Sequence, residues 1–179
     1  MPKPMTTQRS TPTVNNTDIT VTNGDAESLG VAQLRLEHQL CFAVYSLSNS
    51  IQKAYRPLLA PLDLTYPQYL VMLVLWQEEG LSVKQLGAQL GLDSGTLTPL
   101  LKRLAQKDLV DRRHSADDER ARALYLTPRG KAMQQQAAAI PQQLLQQLGL
   151  DLAHLVPLKQ QCEQLKWQLG DNDNANAAD

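Results

Sequence analysis

At 179 residues, with 42% hydrophobic and 20% charged residues, the chain can bury one core and reads as one domain with tails. No apolar run approaches the roughly 18 residues needed to span a bilayer, and the N-terminus lacks the apolar segment of a signal peptide. A membrane role and export are therefore not expected, and the two cysteines read as reduced thiols of a cytoplasmic protein. The net charge of −1 is unevenly divided: Ser82 to Lys131 holds ten Lys/Arg against six Asp/Glu, a balance of +4, and the remainder holds seven against twelve, or −5. Such a basic segment is a weak pointer to a polyanionic partner, and on charge alone a solvated face is the better reading.

Residues 1–32 are polar, rich in Thr, Asn and Gln, and read as a disordered tail; residues 170–179, GDNDNANAAD, read the same way. The intervening 33–169 is the expected folded domain. Its first helix carries Leu40, Val44, Leu47, Ile51, Tyr55 and Leu58 as one apolar stripe, with Pro57 and Pro61 expected to close it. Thr65 to Gln68 is a capping box that opens a second helix running to Trp76. Ser82 to Gln85 is another, opening a short helix with Val83, Leu86 and Leu90. Gly91-Leu92-Asp93-Ser94 then turns into DSGTLTPLLKRLAQKD, whose Leu97, Leu100, Leu101 and Leu104 face inward. Pro99 removes a backbone donor there, so a late helix start or a slight kink is expected.

After Asp108 the period changes. LVDRR and ARALYL are strand-like runs flanking the polar loop HSADDER. Thr127-Pro128 is an N-cap followed by Pro at the first helical position, opening a helix to about Leu148 with a kink at Pro141. A last helix covers Leu152 to Leu169, with Leu155, Leu158, Cys162, Leu165 and Leu169 on one stripe that reads as core. This order predicts a mainly α fold: a winged helix-turn-helix DNA-binding domain with a helical dimerisation platform. The helix-turn-helix falls at about 82–108, the wing at about 109–127 and the dimerisation helices at about 34–60 and 128–169.

A recognition helix needs an apolar face toward its own core and short polar groups toward bases and phosphates. Ser94, Thr96, Thr98, Lys102 and Arg103 supply the second face. An ordinary helical hairpin with a polar outer face fits the same pattern, and the hairpin that follows favours the DNA reading. That hairpin adds Arg112, Arg113, His114, Arg120 and Arg122. Arg120, at the loop tip, suits the negative potential of a narrow minor groove, and Asp118 is placed to orient it by a bidentate pair. A solvated charged loop is the alternative.

Cys41 falls in about the second turn of the first helix, near the positive end of its dipole, which favours thiolate. Glu37, one turn back, opposes this. Tyr45 is four residues on. Tyr55, fourteen residues on, lies roughly 21 Å along the axis at 1.5 Å per residue and cannot touch the thiol of its own chain. Antiparallel packing of two such helices across a dimer axis brings Tyr55 of one chain toward Cys41 of the other. Taken alone, a helical cysteine is also a plain core residue. No metal site, phosphate loop or cofactor is indicated: His38, His114 and His154 are far apart and the glycines are scattered. Cys41 with His38 lacks a third orienting group, so an enzyme is not expected.

LEHQLCFAVY, AYRPLL, LTYPQYLVMLVLW, LGLDSGTLTPLLKRL and DDERARALYLT, between roughly Leu36 and Ile140, together resemble the organic-hydroperoxide-sensing (OhrR-type) repressors of the MarR family. The resemblance implies a homodimeric winged-helix repressor of double-stranded operator DNA. A cysteine at the position of Cys41 then hydrogen-bonds to two tyrosines of the other subunit, here Tyr55 and Tyr66. An organic hydroperoxide oxidises that thiol to a sulfenic acid, the contact breaks and the dimer leaves DNA. The family's wing arginine corresponds to Arg120, with Asp118 beside it. This sequence departs from the family at two places. Asp108 stands where a helix-terminating glycine is common, a residue that tolerates the left-handed region. Cys162 lies further along than the second cysteine of the two-cysteine subgroup. The oxidised thiol then has two fates, a disulfide with Cys162 or a mixed disulfide with a small cytosolic thiol. Two rivals remain: a MarR-type regulator answering a small phenolic or drug-like ligand with Cys41 structural, and a thiol peroxidase, for which no activating Arg or resolving pair adjoins Cys41.

Overall fold

Gln39 decides where the first helix starts. In the computed structural model, which describes residues 34–114 and 122–175, Gln39 is extended (φ −87°, ψ 117°) between a 3-10 turn, Leu36–His38, and helix α1, Leu40–Leu59. Cys41 is therefore the second residue of α1, in its first turn and not its second. Glu37 lies outside the helix and pairs with Arg35 at 2.7 Å. The expected tail 1–32 lies outside the described residues, as do Asp118 and Arg120 of the expected wing loop. The chain divides into two units, 1–44 and 45–179, and the remaining elements belong to the second.

Pro57 does not close α1. The ring leaves only the Lys53 carbonyl without its helical donor, and Leu59, 1% exposed, anchors the end in the core. A 3-10 turn, Ala60–Leu62, follows, and Asp63 takes the left-handed conformation at φ 51°. Helix α2, Tyr66–Gln77, opens on the expected box, the Thr65 amide donating to Gln68 Oε1 at 3.1 Å. Helix α3, Val83–Leu90, opens on the Ser82 box, the Ser82 amide reaching Gln85 Oε1 at 2.8 Å and the Gln85 amide reaching Ser82 Oγ at 3.2 Å. Gly91, at φ 65°, ends it, a conformation that costs a glycine little.

Helix α4, Ser94–Gln106, does not start late at Pro99. Asp93 caps it, accepting the Thr96 amide at 2.8 Å, so the start is fixed and Pro99 sits inside with only the Gly95 carbonyl released. Asp108 ends the segment at φ 56°, the left-handed position expected of it. Strands β1, Val110–His114, and β2, Arg122–Leu126, pair antiparallel with Val110 opposite Leu126 and Arg112 opposite Leu124. Leu81 adds a short third edge: the Leu124 amide donates to the Leu81 carbonyl at 2.9 Å and the Gly80 amide to the Leu124 carbonyl at 2.8 Å.

The helix expected from Pro128 to Leu148 is two. Helix α5, Pro128–Ala137, is capped by Thr127, and helix α6, Ile140–Leu148, begins afresh. Pro141 has no N–H for the Ala137 carbonyl, so the ladder stops there instead of bending. Helix α7 runs from Leu152 to Ala175, past the expected end at Leu169, since extending a formed helix is cheap beside starting one.

Leu86, Leu97, Leu101, Leu104, Leu109 and Leu124 are essentially inaccessible and form, with Leu59, Tyr69, Met72 and Leu75, the core beneath the helix-turn-helix and the hairpin. The stripe of α7 does not join it. Leu158, Leu165 and Leu169 are exposed, and so is Cys162. Cys162 lines an apolar groove with Leu47, Ile51, Leu152, Leu155, Val156, Leu158 and Lys159, so the core reading of that stripe fails for the single chain. Among the described residues only Leu47 and Ile51 of α1 face this stripe across the groove, so most of its apolar face stays open. No single helix among the described residues is long and apolar enough to cross a membrane.

Candidate functional site

The outer face of α4 is polar because its leucines, at spacings of three and four, all turn to the core. Ser94, Thr96, Thr98, Lys102 and Arg103 are exposed, as the sequence requires of a recognition helix. Two of the hydroxyls are already engaged: Thr96 Oγ1 donates to Asp93 Oδ2 at 2.9 Å and Thr98 Oγ1 to the Ser94 carbonyl at 2.7 Å. Both oxygens keep lone pairs that can accept from an outside donor. The Thr96 amide and hydroxyl hold the Asp93 carboxyl below its ordinary value, so the cap stays charged at neutral pH.

Strand alternation separates the two arginines of β1. Arg112 joins Thr98, Leu101, Lys102, Ala105 and Gln106 around a groove between α4 and the hairpin. Arg113, one residue on, pairs with Asp111 at 2.8 Å and lies 5.8 Å from the centre of the Tyr125 ring. The structure thus gathers Thr98, Lys102 and Arg112 and holds Arg113 on the other side of the strand. Glu79, not singled out from the sequence, fastens the stem: it accepts the Leu126 amide at 2.8 Å and pairs with Lys131 at 2.8 Å. Burial pushes its carboxyl up, but those hydrogen bonds and the charges of Lys131 and Arg113 outweigh this and hold it below its ordinary value.

Tyr55 and Tyr66, the two tyrosines expected to read the sulfur, are brought together from different helices, their ring centres 4.9 Å apart. Tyr69 lies behind, 5.7 Å from Tyr55, and Trp76 is 6.3 Å beyond Tyr69. Sequence reading missed Tyr69, although its place three residues after Tyr66 puts both rings on one face of α2. Burial, with Tyr66 and Tyr69 as neighbours, pushes the Tyr55 hydroxyl up to about 12; burial raises Tyr66 as well. Both phenols therefore stay protonated and able to donate at neutral pH. Cys41 is exposed among the described residues of its own unit.

The raised Tyr55 value carries an expected result. The folded state holds that proton more tightly than the unfolded state, whose value is 10, so the contribution is complete below pH 10 and is lost as pH rises toward about 12. In an alkaline titration, part of the tyrosinate absorbance should appear only together with loss of helical circular dichroism. The Tyr55→Phe protein should lose part of that late component. A single tyrosinate step at the ordinary value, with the helices intact, would contradict the buried ring cluster.

Residues 64–121 match the model of the MarR family. Over 125 residues the chain is 48% identical to the organic hydroperoxide resistance transcriptional regulator of Bacillus subtilis, an alignment covering 68% of this chain and 85% of that protein. The chain belongs to the MarR family. Among solved MarR-like structures, reduced AbfR bound to DNA, from Staphylococcus epidermidis, superposes with a TM-score of 0.68 at 34% identity, covering 78% of this chain and 96% of AbfR. The disulfide form of AbfR superposes with a TM-score of 0.54 at 33% identity, covering 80% of this chain and 96% of AbfR. In this MarR-family chain, the matched residues run from the buried Leu64 before α2 through α4 and β1 to the wing.

Proposed function

We propose that this MarR-family chain is a redox-sensing transcriptional repressor that binds operator DNA as a homodimer and is released when an organic hydroperoxide oxidises Cys41. The observation that carries the reading is the tilted Tyr55–Tyr66 ring pair, two protonated phenols on the scaffold that also presents the capped helix Ser94–Gln106. Similarity to a regulator of organic hydroperoxide resistance and to a protein solved in reduced and disulfide forms supports it. Ser94, Thr96, Thr98, Lys102, Arg103 and Arg112 face the major groove and backbone, with Arg113 braced at the wing stem. Arg120, outside the described residues, is the side chain proposed to enter the minor groove, with Asp118 orienting it. Thiol oxidation to sulfenic acid passes two electrons from the sulfur to the hydroperoxide: the sulfur takes the terminal oxygen, the O–O bond breaks, and the other oxygen leaves as an alcohol once protonated. The oxidised sulfur no longer accepts from Tyr55 and Tyr66 of the other subunit. Exposure of Cys162 in an apolar groove supports its use as the resolving thiol over an inert core role, with a small cytosolic thiol as the other route. The protein acts in the cytoplasm, as a regulator and not as an enzyme.

The test is a gel shift on the DNA upstream of its own gene, with and without an organic hydroperoxide and across a salt series. Dimer binding should fall with salt, the slope of log K against log salt changing by about 0.9 for each phosphate neutralised. Peroxide should abolish the shifted band and a thiol reductant should restore it. Salt-independent or monomeric binding, or a band indifferent to peroxide, would reject the reading.

A second reading has one observation in its favour. Tyr69, Leu73, Trp76, Gln77, Gln134, Ala137, Ala138 and Pro141 line a cavity of about 240 Å³, walled by aromatic rings with two amides at hand. A planar phenolic ligand matches that chemistry, with Cys41 then structural. Release of the band by a phenolic acid but not by peroxide would favour it.

A further inference from the structure

Lys107 stands at the C-terminal end of α4, and its ammonium leaves the helix to bond elsewhere. It donates to the Asp63 carbonyl, pairs with the Asp63 carboxylate at 3.1 Å and reaches Gln68 Oε1 at 3.5 Å. These acceptors bracket the turn between the two tyrosine helices. Asp63 caps the 3-10 turn that follows α1, the helix of Tyr55. Gln68, 1% exposed, also accepts the Thr65 amide and so fixes the first turn of α2, which begins at Tyr66. One side chain therefore bonds the end of the recognition helix to the segment joining Tyr55 to Tyr66.

The rest of the attachment of α4 is of a different kind. Leu97, Leu101 and Leu104 pack in the core, and apolar contacts are non-directional. Among the described residues, the other side-chain hydrogen bonds of α4 stay within the helix and its cap. A charge-assisted hydrogen bond holds only while donor and acceptor stay within about 3.2 Å, so a movement of the turn beyond the reach of the lysine stem either carries the end of α4 with it or breaks the bond. Lys107 is the polar tie to that turn, and neither the resemblance nor the DNA reading calls on it.

We propose that Lys107 is a positioning residue through which the state of the Tyr55–Tyr66 pair reaches the recognition helix. The inference rests on the reading that those tyrosines report the oxidation of Cys41. In the reduced dimer the packed leucines already hold α4 in its DNA-binding position, and the tie is at rest. On oxidation, displacement of the tyrosines moves the turn, and Lys107 passes the movement to α4.

Operator affinity is measured before and after peroxide for wild type, Lys107→Met and Lys107→Arg, with sulfenic acid at Cys41 followed by mass spectrometry of the dimedone adduct. Lys107→Met keeps the apolar stem and loses the donors. It should bind operator as wild type does when reduced and form sulfenate at the same rate. Its peroxide-induced loss of affinity should be at least about fivefold smaller than that of wild type, the low end of ordinary coupling between sites. Lys107→Arg, which keeps charge and donors, should regain most of the response. Equal release of wild type and Lys107→Met overturns the inference, and so does loss of DNA binding by reduced Lys107→Met. If wild type itself stays bound after Cys41 is oxidised, the repressor reading fails first and this one with it.

Discussion

Cys41→Ser should bind operator as the wild type does and stay bound at a dose of organic hydroperoxide that releases the wild type completely. Serine keeps the small side chain and a hydroxyl that can accept from the two phenols, so the reduced geometry is retained. It cannot form a sulfenic acid, so the event that separates sulfur from Tyr55 and Tyr66 does not occur. The position itself argues for tolerance: Cys41 is exposed in the first turn of α1, where a serine is compatible with a helix start. Gel shifts before and after peroxide decide the matter. Release of the variant at the wild-type dose would move the sensor away from Cys41. Loss of binding without peroxide would make Cys41 structural.

Gly130→Ala should destabilise the fold by about 3 kcal/mol, the upper end for a side chain forced into a packed site. A Cβ at Gly130 would lie 2.2 Å from the Leu109 carbonyl oxygen and 3.3 Å from Leu126 Cδ2. The first of these is backbone at the base of the wing and has little room to yield, because that carbonyl also accepts the Thr127 amide at 3.1 Å. Moving α5 away instead would strain two bonds made by Gly130 itself, its amide to Thr127 Oγ1 at 3.0 Å and its carbonyl to Trp76 Nε1 at 2.9 Å. Gly170→Ala is the control. Nothing lies within 4 Å of the Cβ it would add, and alanine is the better helix former, so stability should be unchanged or slightly raised. Denaturant titration of both variants measures the difference. A Gly130→Ala protein as stable as Gly170→Ala would mean that α5 and the wing base do not meet this closely.

What the sequence determined here is local. The Thr65 and Ser82 boxes and the Thr127 cap each join residues three apart, so their chemistry is complete within one turn, and all three open helices as read. The leucines of α4 face inward and its polar residues outward because both sets repeat with the helix period. The hairpin and the left-handed Asp108 follow from the same short-range rules. Most prolines were misjudged, since a missing donor says what is lost and not what the surrounding packing holds in place. The anchored Leu59 carries α1 through Pro57, and the Asp93 cap carries α4 through Pro99, while Pro141 stands in the first turn of a separate helix.

Only the tertiary structure decided which residues meet across long separations. Lys107 and Asp63 are 44 positions apart, Glu79 and Leu126 47, and Trp76 and Gly130 54. No periodicity encodes such pairs, because each depends on where two independently formed elements come to rest. The same reason left Tyr69 unnoticed behind Tyr55, brought Arg112 but not Arg113 to the groove beside α4, and kept Cys162 out of the core its stripe suggested. A stripe of leucines states that a face will be covered, and only the packed chain shows whether it is covered from within.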